Sequence, residues 1–262
     1  MQVTINGIDT RYVLSNEGGG PWLTFIHQLA GDLSVWDQQA GYFRNDYTVL
    51  RYDLRGHGET AVSRDAFSIA DLADDLAELL HKLGAPSTHV VGLSIGGMVA
   101  QQFAVDHGSL VDSLTVVGAP AFTPEDARPT FGQRAASVRE NGAGSIVDST
   151  LERWLTAEFR QRHPEVVEQI RETILRTPSE GFARAAEAIR DFDVREKLAS
   201  VAKRTLVVAG KHDTGTPNAA SRLIADTVPG ALFETLDAAH LSPIESSTQF
   251  TALLGTFLRS SV

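Results

Sequence analysis

The 262-residue sequence predicts an α/β fold: a mostly parallel, twisted sheet with helices on both faces. Three observations carry that prediction. Short apolar runs such as WLTFIH (22–27), THVVGL (88–93) and RTLVVAG (204–210) read as strands buried on both faces. Segments of helical periodicity alternate with them, the pattern of parallel strands joined by crossover helices. The alternation stops after Ala119-Pro120 and resumes only after Lys197.

In chain order, QVTI and DTRYVL flank Asn6-Gly7, a two-residue turn signal, and predict a hairpin. NEGGGP (16–21) reads as a loop. Its glycines are not a phosphate loop, because no Gly-Lys-Ser/Thr follows. The strand WLTFIH is followed by a helix near 35–43 and a strand YTVLRYD (47–53). From Ser68 to Leu83, the residues Ile69, Leu72, Leu76, Leu79, Leu80 and Leu83 fall on one stripe, and Ser68 with Asp71 forms a capping box. Asp71, Asp74, Asp75 and Glu78 on this segment read as a solvated face. THVVGL, a helix over 96–107 and LVDSLTVVG (110–118) complete the first part. The stretch up to Lys197 is helical in character and punctuated by Pro and Gly. Strand 204–210, a helix from Asn218, strand ALFETL (231–236) and a helix over 248–258 close the chain. The predicted organisation is a core over 1–119, a helical insertion over 120–197 after the sixth strand, and the rest of the core over 198–262.

Composition excludes several functions. There is no cysteine, hence no disulfide framework, cysteine nucleophile or thiolate metal site. The formal net charge of −10 argues against nucleic acid as a partner. The first residues are polar and strand-like rather than a signal peptide, and no apolar run approaches a membrane span, so the expected location is cytoplasmic. No metal-binding pattern stands out. RGHGETA (55–61) fits a dinucleotide glycine pattern, but no helix opens at those glycines and a tight turn is the better reading.

Gly92-Leu93-Ser94-Ile95-Gly96 matches G-x-S-x-G between a strand and a helix, where a serine can be held at a sharp, exposed turn. The plainer reading of Ser94 is a turn residue. A serine hydroxyl needs a base, and the base a third group to orient it. With this motif the partners follow in the order Ser, acid, His. Asp213 follows the strand TLVVAG and His240 follows ALFETL, both at C-terminal strand ends where such sheets gather their sites. Asp237 is the rival acid, and His212 reads as a loop neighbour of Asp213. The expected oxyanion donors are the backbone N–H groups of Ile95 and Leu29, with His27 a structural residue at the strand end.

FIHQLAGDLSVWD, YDLRGHG, GLSIGG, AGKHDTGTP and DAAHLSPIE together resemble the α/β-hydrolase superfamily over nearly the whole chain, and within it the 3-oxoadipate enol-lactonases. The segment from Glu152 to Leu198 resembles their cap. The resemblance implies hydrolysis of an ester or lactone through an acyl-serine, without a cofactor, by Ser94, Asp213 and His240. It departs from the pattern at His27-Gln28-Leu29-Ala30, at Trp154-Leu155-Thr156-Ala157, and in GFARAAEAI, which places Arg184 and Glu187 where smaller groups are usual. Trp154 and Arg184 are the candidate substrate-binding residues, Arg184 as a cation for a carboxylate; Arg128, Arg134 and Arg139 are also available. General esterases, C–C bond hydrolases and cofactor-free perhydrolases share the same triad, and a ligand receptor on this fold is a reading of another class. The expected partner is a small ester or lactone. No membrane partner is expected, and homo-oligomerisation stays open.

Overall fold

The computed structural model describes residues 1–15 and 19–260; the first half of the NEGGGP loop expectation, 16–18, lies outside them. The described strands form one sheet in the order β1-β2-β4-β3-β5-β6-β7-β8. They are β1 Gln2–Ile5, β2 Ile8–Ser15, β3 Trp22–Ile26, β4 Thr48–Tyr52, β5 Thr88–Leu93, β6 Val111–Val117, β7 Arg204–Gly210 and β8 Leu232–Leu236. The hairpin turns at Asn6 (φ 46°) and Gly7 (φ 78°), both in the left-handed region that a tight two-residue turn demands. β2 pairs antiparallel with β4, and from β4 to β8 every pairing is parallel.

The central strands are apolar because water reaches neither face. All five residues of β4 are buried, and Leu23, Phe25 and Ile26 of β3 are fully so. On one side Trp36 packs on Phe25 and Phe250, joining helix α1 (Asp37–Phe43) to the last helix, Ser247–Arg259. α2 (Ile69–Leu83) packs on α3 (Ile95–Asp106), which lies against β5 and β6. The helix expected near residue 35 is split: a 3₁₀ turn over Leu33–Trp36, capped by Asp32, precedes α1.

The Ser68–Asp71 capping box is present, and Gly84 ends α2 in the left-handed conformation. One expectation on α2 is corrected. Asp75 does not face solvent: it is buried, takes two hydrogen bonds from Arg55 and accepts a third from Asn6 Nδ2 at 2.9 Å. It stands three residues after Leu72 and four before Leu79, on the inward stripe, so its charge had to be paired.

Between β6 and β7 the chain forms α4 (Arg128–Asn141), α5 (Val147–Trp154), α6 (Ala157–Arg162), α7 (Pro164–Arg176), α8 (Ser179–Arg190) and α9 (Arg195–Leu198). This insertion leaves and re-enters the core at one point. Thr123 N–H donates to Phe192 O (2.9 Å) and Val194 N–H to Ala121 O (3.0 Å). It rests on the RGHG turn where Gly181 meets Gly56: a Cβ on Gly181 would lie 2.1 Å from Gly56 O. That contact gives the glycine-rich turn a packing role. α10 (Asn218–Thr227), α11 (Ser242–Glu245) and the last helix, α12 (Ser247–Arg259), follow β7. Among the described residues no helix is long and apolar enough to cross a membrane.

Register decides where chemistry can gather. Ile26 is level with Tyr52 and Gly92, Leu93 with Val117, Val117 with Val208, and Gly210 with Leu236. The loops after β3, β5, β7 and β8 therefore emerge side by side at the carboxyl edge of the sheet.

Candidate active site

Ser94 sits between β5 and α3 with φ 57° and ψ −119°, a backbone conformation that a side chain seldom tolerates. Its N–H is tied to Val117 O at 2.9 Å. The neighbouring glycines make the turn feasible. A Cβ on Gly92 would lie 2.0 Å from Gly96 O, and one on Gly96 would lie 2.3 Å from Ile26 O. Strand, turn and helix thus pass at backbone distance, and the Ser94 side chain is left facing a cavity.

The loop after β8 brings His240 to the same cavity. His240 is 5% exposed, and its Nδ1 is 2.7 Å from Asp213 Oδ2. The other oxygen of Asp213 accepts the N–H groups of Gly215 and Thr216, each at 2.8 Å. The carboxylate is therefore fixed by three partners, and it fixes the imidazole with Nε2 free for other work. Asp237 faces elsewhere and pairs with His212 at 2.9 Å.

Leu29 lines the cavity from the loop after β3. Its backbone is oriented from behind. Leu54 N–H donates to His27 Nε2 at 2.9 Å, so the proton of this ring is on Nδ1, which donates to Gln28 O at 2.7 Å. The Gln28–Leu29 peptide is trans, so holding its carbonyl on one side directs the Leu29 N–H to the other. His27 is fully buried, and burial pushes its pKa down to about 4, which keeps it neutral and able to accept from Leu54. Ile95 opens α3, where N–H groups have no intrahelical acceptor.

The cavity has a volume of about 610 Å³. Phe122, Pro124, Ala127, Phe131 and Leu223 make much of its wall apolar. Trp154, at the end of α5, lines it too and stacks on His240 at 6.3 Å between ring centres, tilted by 25°. Arg184 is not part of the lining. It pairs with Glu180 at 2.7 Å, one turn earlier on α8, and Glu180 also binds Arg139. The cations on the wall are Arg134 and Arg153. Arg134 lies over the Phe182 ring, with a long hydrogen bond to Thr150 Oγ1 at 3.4 Å. Burial, helped by the nearby charge of Arg153, pushes its pKa down to about 10. Arg153 is likewise lowered by burial, a change opposed by the charge of Asp213. Neither guanidinium pairs with a carboxylate among the described residues. Sequence reasoning named Arg134 only as available and passed over Arg153, whose one signal was its position beside Trp154.

Comparison with known proteins follows the same outline. Residues 21–247 match the family described as the alpha/beta hydrolase fold. The chain is 31% identical to 3-oxoadipate enol-lactonase 1 of Acinetobacter baylyi over 241 residues, spanning 92% of this chain and 89% of that protein. The structure of an enol-lactonase from Burkholderia xenovorans superposes with a TM-score of 0.96 at 30% identity, covering 99% of this chain and 100% of that one. A malate-bound thermophilic esterase from Thermogutta terrifontis gives a TM-score of 0.93 at 30% identity, covering 99% and 98%.

Proposed function

The chain belongs to the α/β-hydrolase fold family, and on that premise we propose that it hydrolyses a carboxylic ester or lactone through an acyl-serine, with Ser94, His240 and Asp213 as the triad. The observation that carries this reading is the Asp213–His240 hydrogen bond behind an imidazole that shares its cavity with Ser94.

Ser94 Oγ attacks the carbonyl carbon and its proton passes to His240 Nε2. The new oxyanion is held by the N–H groups of Leu29 and Ile95. On collapse the C–O bond to the leaving oxygen breaks, and His240 returns the proton to that oxygen. A lactone opens at this step; an ester loses its alcohol. Water then attacks the acyl-serine, giving its proton to His240, and the acid leaves as Ser94 regains the proton. Asp213 holds the tautomer and stabilises the imidazolium. The helical insertion acts as a cap that limits water at the reacting carbon.

The proposed substrate is anionic. Two cavity arginines without a carboxylate partner among the described residues support a carboxylate on the bound molecule. The enol-lactonases and the malate-bound esterase among the relatives support the same reading. The test is steady-state turnover of 3-oxoadipate enol-lactone, simple γ-lactones and p-nitrophenyl esters, with Ser94→Ala as control. Turnover that survives in Ser94→Ala, or no Ser94-dependent turnover on any of them, would overturn the proposal.

A further inference from the structure

The loop that carries His240 is attached to the insertion on both sides of the imidazole. On one side, Leu241 N–H donates to Trp154 O at 3.0 Å. On the other, Ala239 N–H donates to Glu245 Oε2 at 2.8 Å. The second oxygen of Glu245 reaches across to the insertion. Its Oε1 accepts from Thr156 N–H at 3.1 Å and from the Thr156 hydroxyl in a short hydrogen bond. The same hydroxyl oxygen accepts from Phe159 N–H at 3.2 Å and so caps α6. Trp154, two residues before Thr156, stacks on the imidazole.

One carboxylate thus takes three donors from two separate parts of the chain. Residues 154–156 join α5 to α6, and residues 239–241 bracket His240. Backbone N–H groups donating to a charged acceptor are strong bonds, and half-burial of Glu245 limits competition from water. The bonds leave little freedom for the insertion to shift without moving His240.

Building on the triad reading above, we infer that Glu245 is a positioning residue: it clasps the cap to the histidine loop, so that the imidazole is aligned with Ser94 when the cap is seated. The substrate contacts of the cap and the proton transfer at Ser94 are then coupled through a group that touches neither substrate nor the reacting atoms.

The substitution Glu245→Gln keeps the shape but replaces one acceptor oxygen by a donor NH₂, so that either Ala239 N–H or Thr156 N–H meets another donor. Thr156→Val removes the hydroxyl arm, and Thr156→Ser keeps it. Two readouts are compared in the full-length protein. One is the rate at which a fluorophosphonate labels Ser94, a reaction that forms the Oγ–P bond, expels fluoride and passes the hydroxyl proton to His240. The other is kcat and KM on p-nitrophenyl acetate, with thermal unfolding followed in parallel.

Glu245→Gln and Thr156→Val are each expected to lower the labelling rate and kcat by about ten- to a hundredfold with KM little changed, as for an ångström-scale misplacement of a catalytic group. Thr156→Ser is expected to retain both, and the double variant to be no slower than the slower single one. Glu245→Gln variants that label and turn over within about twofold of wild type would overturn the inference while leaving the triad reading intact. So would losses that track the unfolding temperature and are additive in the double variant. Failure of Ser94 to label in the wild-type protein would overturn the triad reading and this inference with it.

Discussion

The imidazole rings of His27 and His57 lie 5.4 Å apart, tilted by 48°, and both are fully buried. Burial holds each at a pKa of about 4, against 6.5 in the open chain, and each ring's charge would also oppose the other's. Asp53, Asp32 and Arg55 surround them, the first two favouring protonation and the Arg55 carbonyl accepting from His57 Nδ1. In the folded state both rings are neutral down to about pH 4, whereas the unfolded chain takes up two protons as pH falls through 6.5. The stability they contribute is therefore complete above 6.5 and lost on the way down to about 4, by roughly 3 kcal/mol per ring. In urea unfolding followed from about pH 7 to about pH 5, the proton uptake on unfolding should be smaller by about one proton in His57→Asn than in wild type.

Arg153 faces the cavity close enough to Asp213 to feel its charge, and Arg134 lies beside it. Arg153→Leu is expected to lower kcat/KM on an anionic lactone by about 10- to 100-fold, while neutral p-nitrophenyl acetate changes by less than about threefold. Arg184→Ala, whose side chain is held by Glu180, should leave that ratio unchanged. The measurement is the ratio of kcat/KM on the two substrates, which cancels any general loss of active protein.

Asp213→Asn keeps the shape of the carboxylate but offers an amide to His240 Nδ1. The side chain can then favour the tautomer with the proton on Nε2, which cannot accept from Ser94. A fall in kcat of about 10⁴ is expected with little change in KM. Asp237→Asn, which alters only the exposed pair with His212, should leave turnover near wild type.

Asp75→Ala would leave the half-buried Arg55 without its acceptor and remove the bond from Asn6, which ties the first hairpin to α2. A loss of about 3–5 kcal/mol is expected in denaturant unfolding. Glu78→Ala, on the exposed side of the same helix, should cost less than about 0.5 kcal/mol.

The sheet was legible because its central strands are apolar on both faces, so WLTFI and RTLVVAG could be read without knowing their neighbours. The capping box of α2 was equally local, with donor and acceptor three residues apart. The order Ser94, Asp213, His240 was legible because each residue directly follows, or nearly follows, a readable strand. What escaped was decided across distance. Asp75 looks solvated until Arg55, twenty residues away, is seen to bind it. Arg184 looked free to enter the pocket, but its direction is set by Glu180 and by the rotation of α8 against α4, neither of which has a periodic signature. The support of Leu29 by His27 needs the N–H of Leu54 from the end of another strand.

The two ends of the helical insertion are joined by a short antiparallel stem, Ala121 to Val194 and Thr123 to Phe192. Because the stem closes on itself, the length and shape of what lies beyond it are not transmitted to β6 and β7. The entropic cost of a longer excursion grows only with the logarithm of its length. The chain is thus built in two tiers that meet at this stem. The lower tier carries Ser94, Asp213 and His240; changes in the part of the upper tier away from Trp154 and Thr156 can reshape the cavity wall without displacing the strands beneath.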